Sequence, residues 1–453
     1  MLAARMRRPC RGPWARSALG DRPGLPAAFR GARCAASEVS PGMHQTPIVD
    51  QLWAKRARAV GGDYRPGASS PSKPRTLTPK PPEASAQTIE YAFSDPSNKA
   101  LVDKYRNPWG HVRPGRLFED LDALAGTIAF EHCRSGDPQE KLLHIVTASV
   151  DRLKYMHRPD LENNLVLTGA VTWVGRSSME ISMRAQDTSW GGEPFMESLF
   201  TFVARDPETG RAAQINPLEV SGEEQTALFE LGRKRAEARK AALTQKRKSG
   251  LHIEDETHRI AQELLSASQP LVRMPALAPE NDVLLAETRM QNVFLTMPQQ
   301  RNTAGRIFGG FLMRRAYELA RSTAHLFGGR RPIFHELDEV TFRAPVSVGD
   351  MVKFESCVLY TSEQMDPQGR ATIHTEVKAF ILRPETREAV ISNTFNFTFG
   401  VAVNEDGSGG SAMGGEVQLR RVLPENMLEA CRIVERYLSD KQQVEEDRAV
   451  AAE

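Results

Sequence analysis

Asp122 stands seven residues after Gly115, and Gly115 itself follows the spacing Asn107-x2-Gly110-x4-Gly115. A glycine that opens a helix exposes backbone N–H groups and the positive end of the helix dipole, which suit a developing oxyanion or a thioester carbonyl. Glycine there also lets a substrate approach the backbone closely. A carboxylate two turns in lies nearly on the same side of the helix and could take a proton from an attacking water. The pattern recurs as Asn302, Gly305 and Gly310, each 195 residues on (302 − 107 = 195), with Tyr317 where the first copy has Asp122. Leu117, Leu124, Ala125 and Ala129 return as Leu312, Leu319, Ala320 and Ala324, and Phe200 and Phe202 as Phe395 and Phe397. A match this long indicates duplication of a whole domain.

Each part of the pattern has a plainer reading. Asp122 is one of three acids in EDLD, a run that more often marks a solvated helix face. Gly115 and Gly310 fit ordinary turns, and Asn107 and Asn302 fit turn or cap positions. Specificity lies in the composite: the Asn-Gly-Gly spacing, the amphipathic helix, the repeat, and an acid in one copy. Other chemistries lack their residues. The chain has no GxSxG elbow, HExxH, P-loop or properly placed GxGxxG. A thiol leaving group, with a pKa near 8.5, departs without much general-acid help. Hydrolysis of a thioester therefore suits this sparse toolkit. No metal or cofactor is expected.

The elements that must position these residues follow the same order in both copies. Leu117, Leu121, Leu124, Ala125 and Ile128 fall at helical spacing. Strand-like runs come next: HIVTASVD, LVLTGAVTWVG, SMEISMRA and MESLFTFVAR in the first copy, and IFHELDEVTF, MVKFESCVLY, ATIHTEVKAFI and NTFNFTFGV in the second. Phe395, Phe397 and Phe399 alternate as in a half-buried strand. One helix followed by adjacent strands predicts an α+β unit, an antiparallel sheet covering one helix with an apolar slot between the layers.

The 453 residues carry a formal net charge of +2, which gives no support for nucleic-acid binding. The five cysteines (10, 34, 133, 357 and 431) form no CxxC pair and suggest neither a disulfide framework nor a zinc site. No apolar run approaches the ~18 residues that span a bilayer. Residues 1–37 hold eight arginines, no lysine and a single acid, Asp21, the composition of a mitochondrial import segment. Residues 38–87 read as an irregular N-terminal arm, 88–217 as the first domain, 218–282 as a helical linker, 283–402 as the second domain, and 403–453 as a Gly/Ser loop and a helix. The basic clusters Arg233 to Arg239 and Lys246 to Lys248 fit either coenzyme phosphates or a solvated helix face.

The strings FEDLDALAG, HIVTASVD, TWVGRSSMEI, FVARD and above all RIFGGFLMRRAYELA resemble the double-hotdog acyl-coenzyme A thioesterases, over roughly residues 90–400. The segment EEQTALFELGRKRAEARK is similar to that family's linker. The resemblance implies tandem hotdog domains, a sheet wrapped around a central helix in each, with the two sheets continuous. It implies hydrolysis of fatty acyl-CoA to a carboxylic acid and coenzyme A without a cofactor, and assembly into a homo-oligomer. Carried onto this chain, the catalytic pair is Asp122 with Asn302, one from each repeat. Gly115, Gly309 and Gly310 are candidates for holding the thioester carbonyl. The mirror site would pair Asn107 with Tyr317 and is degenerate, because Tyr317 is not an acid and Glu318 points about 100° away. Pro114 replaces the first glycine of the pair in copy one. Two other functions use similar resources. A hydratase or dehydratase would want a histidine beside the acid; His111 and His132 are nearby in sequence but have no counterparts in copy two. The other is a non-catalytic acyl-CoA sensor.

Overall fold

Both glycine-opened segments form twenty-residue helices, because their apolar stripes recur at helical spacing and nothing breaks them for five turns. The computed structural model describes residues 46–59, 75–135, 141–249, 255–302, 305–338, 340–362, 369–402 and 419–452. The import segment read over 1–37 and the Gly/Ser loop read near 403–418 lie outside the described residues. In chain order the elements begin with α1 (Pro47–Ala59), β1 (Gln87–Tyr91), α2 (Lys99–Tyr105) and α3 (Pro114–Cys133). Four long strands follow: β2 (His144–Tyr155), β3 (Leu165–Val174), β4 (Ser178–Asp187) and β5 (Pro194–Arg205). Three helices, α4 (Gly222–Ser249), α5 (Asp255–Ala267) and α6 (Gln269–Arg273), connect to β6 (Asp282–Leu284) and β7 (Met290–Leu295). The second long helix is α7 (Gly309–Gly328), followed by β8 (Ile333–Leu337), β9 (Val340–Thr341), β10 (Met351–Ser362), β11 (Arg370–Arg383) and β12 (Glu388–Ala402). β13 (Arg421–Leu423) and α8 (Met427–Ala452) close the chain.

The main sheet has eleven strands in the order β1-β3-β4-β5-β2-β8-β12-β11-β10-β7, with β9 beside β2. Every pairing in it is antiparallel. The order reads alike from both ends when β1, β3, β4, β5 and β2 are matched with β7, β10, β11, β12 and β8. The halves meet where Leu153 faces Leu337 and Ser149 faces Thr341. Arg152 and Glu336 pair at 2.8 Å across that seam. Phe200, Phe395, Phe397 and Phe399 are fully buried, as the alternation predicted.

α3 and α7 pack against each other and run antiparallel. A Cβ on Gly310 would stand 2.8 Å from Glu119 Cα, and one on Gly115 would stand 2.9 Å from Arg314 Cγ. At Gly310 the two backbones approach this closely only because the position lacks a side chain, and at Gly115 the same lack admits the Arg314 side chain. The loops before the two helices are also alike. Gly110 and Gly305 have φ of 82° and 78°, and their N–H groups donate to Asn107 O and Asn302 O at 3.1 and 3.0 Å. An L side chain is strained at that φ, so the glycine belongs to the turn.

The arm over 38–87, read as irregular, contains α1. Ile48, Val49, Leu52 and Trp53 are buried, at the i, i+1, i+4, i+5 spacing of a helix face. The Pro-, Ser- and Lys-rich composition of the whole arm concealed this short stripe. Thr46 caps α1 by accepting from Val49 N at 3.1 Å, and its hydroxyl donates to Asp120 on α3. The linker forms α4 as predicted. Its basic run is divided between two faces: Arg235 pairs with Glu180 and Arg239 with Asp151 of the first sheet, whereas the exposed Arg233 pairs with Glu230 and Glu237 of its own helix. Among the described residues no helix is long and apolar enough to cross a membrane.

Candidate active site

All three acids of EDLD face inward, so the solvated-face reading fails. Glu119, Asp120 and Asp122 are 1 %, 0 % and 3 % exposed. Asp120 accepts from the hydroxyls of Thr46, Tyr91 and Tyr105, the second at 2.8 Å, and burial pushes its pKa up to about 7. It fastens α1 and α2 to α3. Glu119 is held by Arg116 at 3.0 Å and by Arg314 of the other repeat at 2.9 Å.

Asp122 sits at the N-terminus of α7, the other repeat's helix. Its Oδ2 accepts from Gly310 N at 2.7 Å, and its Oδ1 accepts from the Thr147 hydroxyl of β2 at 2.8 Å. A Cβ on Gly309 would lie 2.9 Å from Asp122 Oδ2 and 3.2 Å from the Phe342 ring. Burial pushes the Asp122 pKa up to about 6; the Thr147 and Gly310 hydrogen bonds and then the charge of Arg56 pull against it. The result is a dry carboxylate, ionised near neutral pH and a stronger base than one in water.

The mirror position holds Tyr317 beside Gly115, whose Cβ would stand 3.3 Å from Tyr317 Cδ1. Its ring packs on Phe118, Phe334, Phe397 and Phe399 with centroids 5.5 to 6.1 Å apart. Burial pushes the phenol up to about 12. Aromatic rings, with no carboxylate, surround that point among the described residues. Glu318 turns away to Arg113, Arg314 and Arg315.

Asp122 and Asn302, paired as catalytic residues from the sequence, make no hydrogen bond to each other. The two residues come from different repeats, but both Asp122 oxygens are engaged by Thr147 and Gly310. Asn302 Oδ1 accepts from Arg306 N at 3.1 Å within its own loop. Asn107 does likewise, accepting from Trp109 N and His111 N. The Gly310 N–H, a candidate for the thioester carbonyl, is directed at the carboxylate instead. Thr147 went unnoticed in the sequence, where it is one hydroxyl in the strand HIVTASVD. His132, weighed as an acid's partner, is buried ten residues along α3, with its Nε2 2.9 Å from Asn216 O. No imidazole contacts Asp122 among the described residues, nor does any cluster there have the His, Cys, Asp and Glu to hold a metal.

Residues 110–189 match the Thioesterase superfamily. The chain is 41% identical over 401 residues to acyl-coenzyme A thioesterase 4, mitochondrial, of Humulus lupulus, covering 87% of this chain and 73% of the relative. It is 40% identical to acyl-coenzyme A thioesterase 2, chloroplastic, of the same plant, covering 87% and 89%. Against acyl-coenzyme A thioesterase 10, mitochondrial, of Mus musculus the identity is 33%, over 78% and 79%. The chain belongs to the acyl-coenzyme A thioesterase family. As a member it is a thioester hydrolase of the hotdog thioesterase fold, and acyl-CoA is its substrate. The family match over 110–189 contains Asp122 and Thr147 together with α3 and the strands that bury them.

Proposed function

We propose that this acyl-CoA thioesterase attacks the thioester with water, and that Asp122 is the general base. The observation that carries the reading is the buried Asp122 carboxylate held on Gly310 N across the repeats. Gly310 and Thr147 fix the carboxylate, so that proton transfer from water needs no reorganisation. The Asn302 amide and the Gly309 N–H are the donors assigned to the thioester oxygen, at the same glycine-opened turn. The tetrahedral intermediate expels coenzyme A as a thiolate or, with the proton returned from Asp122, as a thiol. Tyr317 leaves the chain with one working site.

The supporting architecture is a tandem of hotdog domains at 88–217 and 283–402, joined by the linker 218–282. The palindromic strand order supports it. The arginine-rich 1–37 and the mitochondrial names of two relatives support import into mitochondria, with the matrix as destination. A reporter fused to residues 1–37 tests this, and a diffuse cytosolic signal would refute it. A fatty acyl chain and a homo-oligomeric assembly are part of the same reading. Thiol release over a ladder of acyl-CoA lengths measures the first, and sedimentation the second.

The deciding experiment compares Asp122→Asn, Thr147→Ala and Asn302→Ala by thiol release. Asp122→Asn should reduce kcat at least about a hundredfold. Undiminished turnover in that variant would remove Asp122 from the chemistry.

A further inference from the structure

The outer faces of the two half-sheets, turned away from α3 and α7, are not alike. One end of each is held by a helix of the same chain: α4 lays Arg235 on Glu180 of β4, and α8 lays Arg432 on Glu376 of β11. The two glutamates hold the same place, since they pair with Thr201 and Asn396, 195 residues apart (396 − 201 = 195). Four residues beyond them, Arg184 and Phe380 stand in matched rows of the free end. In the second repeat that row runs Val293, Lys353, Phe380, Ile391 across β7, β10, β11 and β12. In the first it runs Thr88, Thr168, Arg184, Glu197 across β1, β3, β4 and β5. The next row holds Leu295, Met351, Leu382 and Ala389 where the first repeat has Glu90, Val166, Gln186 and Pro194.

These positions alternate with Val352, Phe354 and Ile381, which are buried in the core, so they point outward. In the first repeat they make a wet surface, with Arg184 and Glu197 paired at 2.8 Å and 60 % and 41 % exposed. In the second, Lys353 is the one polar residue of the eight. Val293 and Leu295 on the edge strand are 49 % and 48 % exposed, and the others are half-buried or exposed. The strands are the same, yet one copy of the face is polar and the other apolar. A contiguous apolar face of this kind marks a surface that is covered in use.

Charge selects the occupant. Lys353 is neutralised by Glu355 at 2.8 Å, with its ammonium 5.6 Å from the Phe380 ring centroid. The flanking ions are also paired at home, Lys378 with Glu376 at 3.3 Å and Arg383 with Glu388 at 3.5 Å. A face whose charges are of both signs and cancel locally can meet an identical face without like-charge repulsion. A membrane surface or a polyanion would call for an excess of basic residues. Sheets pack face to face about 10 Å apart with their apolar residues interdigitated. Each chain has this face on one repeat, so a self-complementary contact closes at two copies, whereas an apolar face on both repeats would propagate a fibre.

We propose, resting on the homo-oligomeric reading above, that the outer face around Phe380 and Leu382 is covered by the same face of a second copy of this chain across a twofold axis.

Analytical ultracentrifugation of the full chain tests it with Phe380→Glu, Val293→Lys and, at the matched position of the first repeat, Arg184→Glu. Melting curves check folding, and the exposed Val293 keeps the test open if Phe380→Glu unfolds. The wild type should sediment as a dimer or a multiple of one. Phe380→Glu and Val293→Lys should each halve that mass, or weaken the association at least about tenfold, because a charge would be buried in the contact. Arg184→Glu should leave the mass unchanged. An oligomer that neither second-repeat variant alters would overturn the assigned face and leave the homo-oligomer standing, whereas a monomeric wild type would overturn both. Equal losses in Arg184→Glu and Phe380→Glu would overturn the distinction between the repeats, and a fall to one third of the mass would overturn the twofold.

Discussion

Glu119 and Arg314 are the same position in the two repeats (314 − 119 = 195) and pair with each other at 2.9 Å. They sit where α3 and α7 cross, so each residue meets its own counterpart. Identical halves would place like charges there. The buried Glu119 has its pKa raised by burial first, with Arg314 and Arg116 pulling it back. Breaking such a pair costs about 3–5 kcal/mol, because the partner stays buried and uncompensated. Glu119→Arg and Arg314→Glu should each lower the urea midpoint strongly, while the swapped double variant should recover most of the loss. A double variant no better than the worse single one would mean that Arg116 and Glu318 dominate the cluster.

Activity should depend on pH through Asp122. Only the ionised carboxylate accepts a proton from water, so kcat/KM should rise as pH passes about 6 and level off above it. A profile that falls through this range, or stays flat, would exclude a base with this pKa.

The same group should oppose stability. The folded pKa of about 6 lies above the unfolded value of ~3.9. Between these values the folded state binds more protons, so this contribution to stability falls as pH rises from about 4 to about 6 and is constant beyond. Asp122→Asn removes the charge, and its amide can still accept from Gly310 while donating to the Thr147 hydroxyl. The variant should therefore melt higher than wild type at pH 7, with an upper bound of about 3 kcal/mol, despite its lost activity. A lower melting temperature would show that the two hydrogen bonds outweigh burial of the charge.

The glycines of the two helix starts should respond differently to alanine. At Gly309 the new Cβ would press on Asp122 Oδ2, so kcat should drop while the fold survives. At Gly310 it would meet the backbone of Phe118 and Glu119, and stability should fall by about 1–3 kcal/mol for an overpacked contact. At Gly115 it would meet side chains and no backbone, Arg314 Cγ at 2.9 Å and the Tyr317 ring at 3.3 Å, so the loss of stability should be smaller than at Gly310 and kcat should change least. Melting curves and thiol release on the three variants separate these outcomes.

The N-terminal arm should matter from α1 onward. A chain starting at residue 38 should fold and turn over as the full chain does. One starting at residue 60 loses the Thr46–Asp120 bond, buried Leu52 and Trp53, and the charge of Arg56 near Asp122. Burial of each large apolar side chain is worth about 1.5–3 kcal/mol, so this shorter chain should melt markedly lower. Equal melting temperatures would make α1 an appendage.

The order of elements was legible because a long helix and long strands carry their own periodicity. The repeat marked α3 and α7, and the acid at 122 opposite Tyr317 distinguished the two halves. Contacts between distant segments were harder to read. That Asp122 would bond Gly310 N rather than Asn302 depends on how two helices cross, which spacing along one chain does not specify. Thr147 carried no periodic signal. Arg56 and α1 were concealed by a composition averaged over the whole arm. The Glu119–Arg314 pair was visible in principle, since the 195-residue offset superposes them, but only once the helices are known to cross at that point.

Joining the repeats in one chain changes what a single substitution can do. In an assembly of two identical subunits every change is made twice, so losing the acid would silence both sites together. Here positions 122 and 317 can diverge independently, and the chain buries one carboxylate at this position where a symmetric pair would bury two. Since each such charge works against folding, exchanging the second for an aromatic ring removes an energetic burden without disabling the first. On the proposed mechanism, covalent fusion thereby separates the demands of chemistry from those of packing, assigning one to each half.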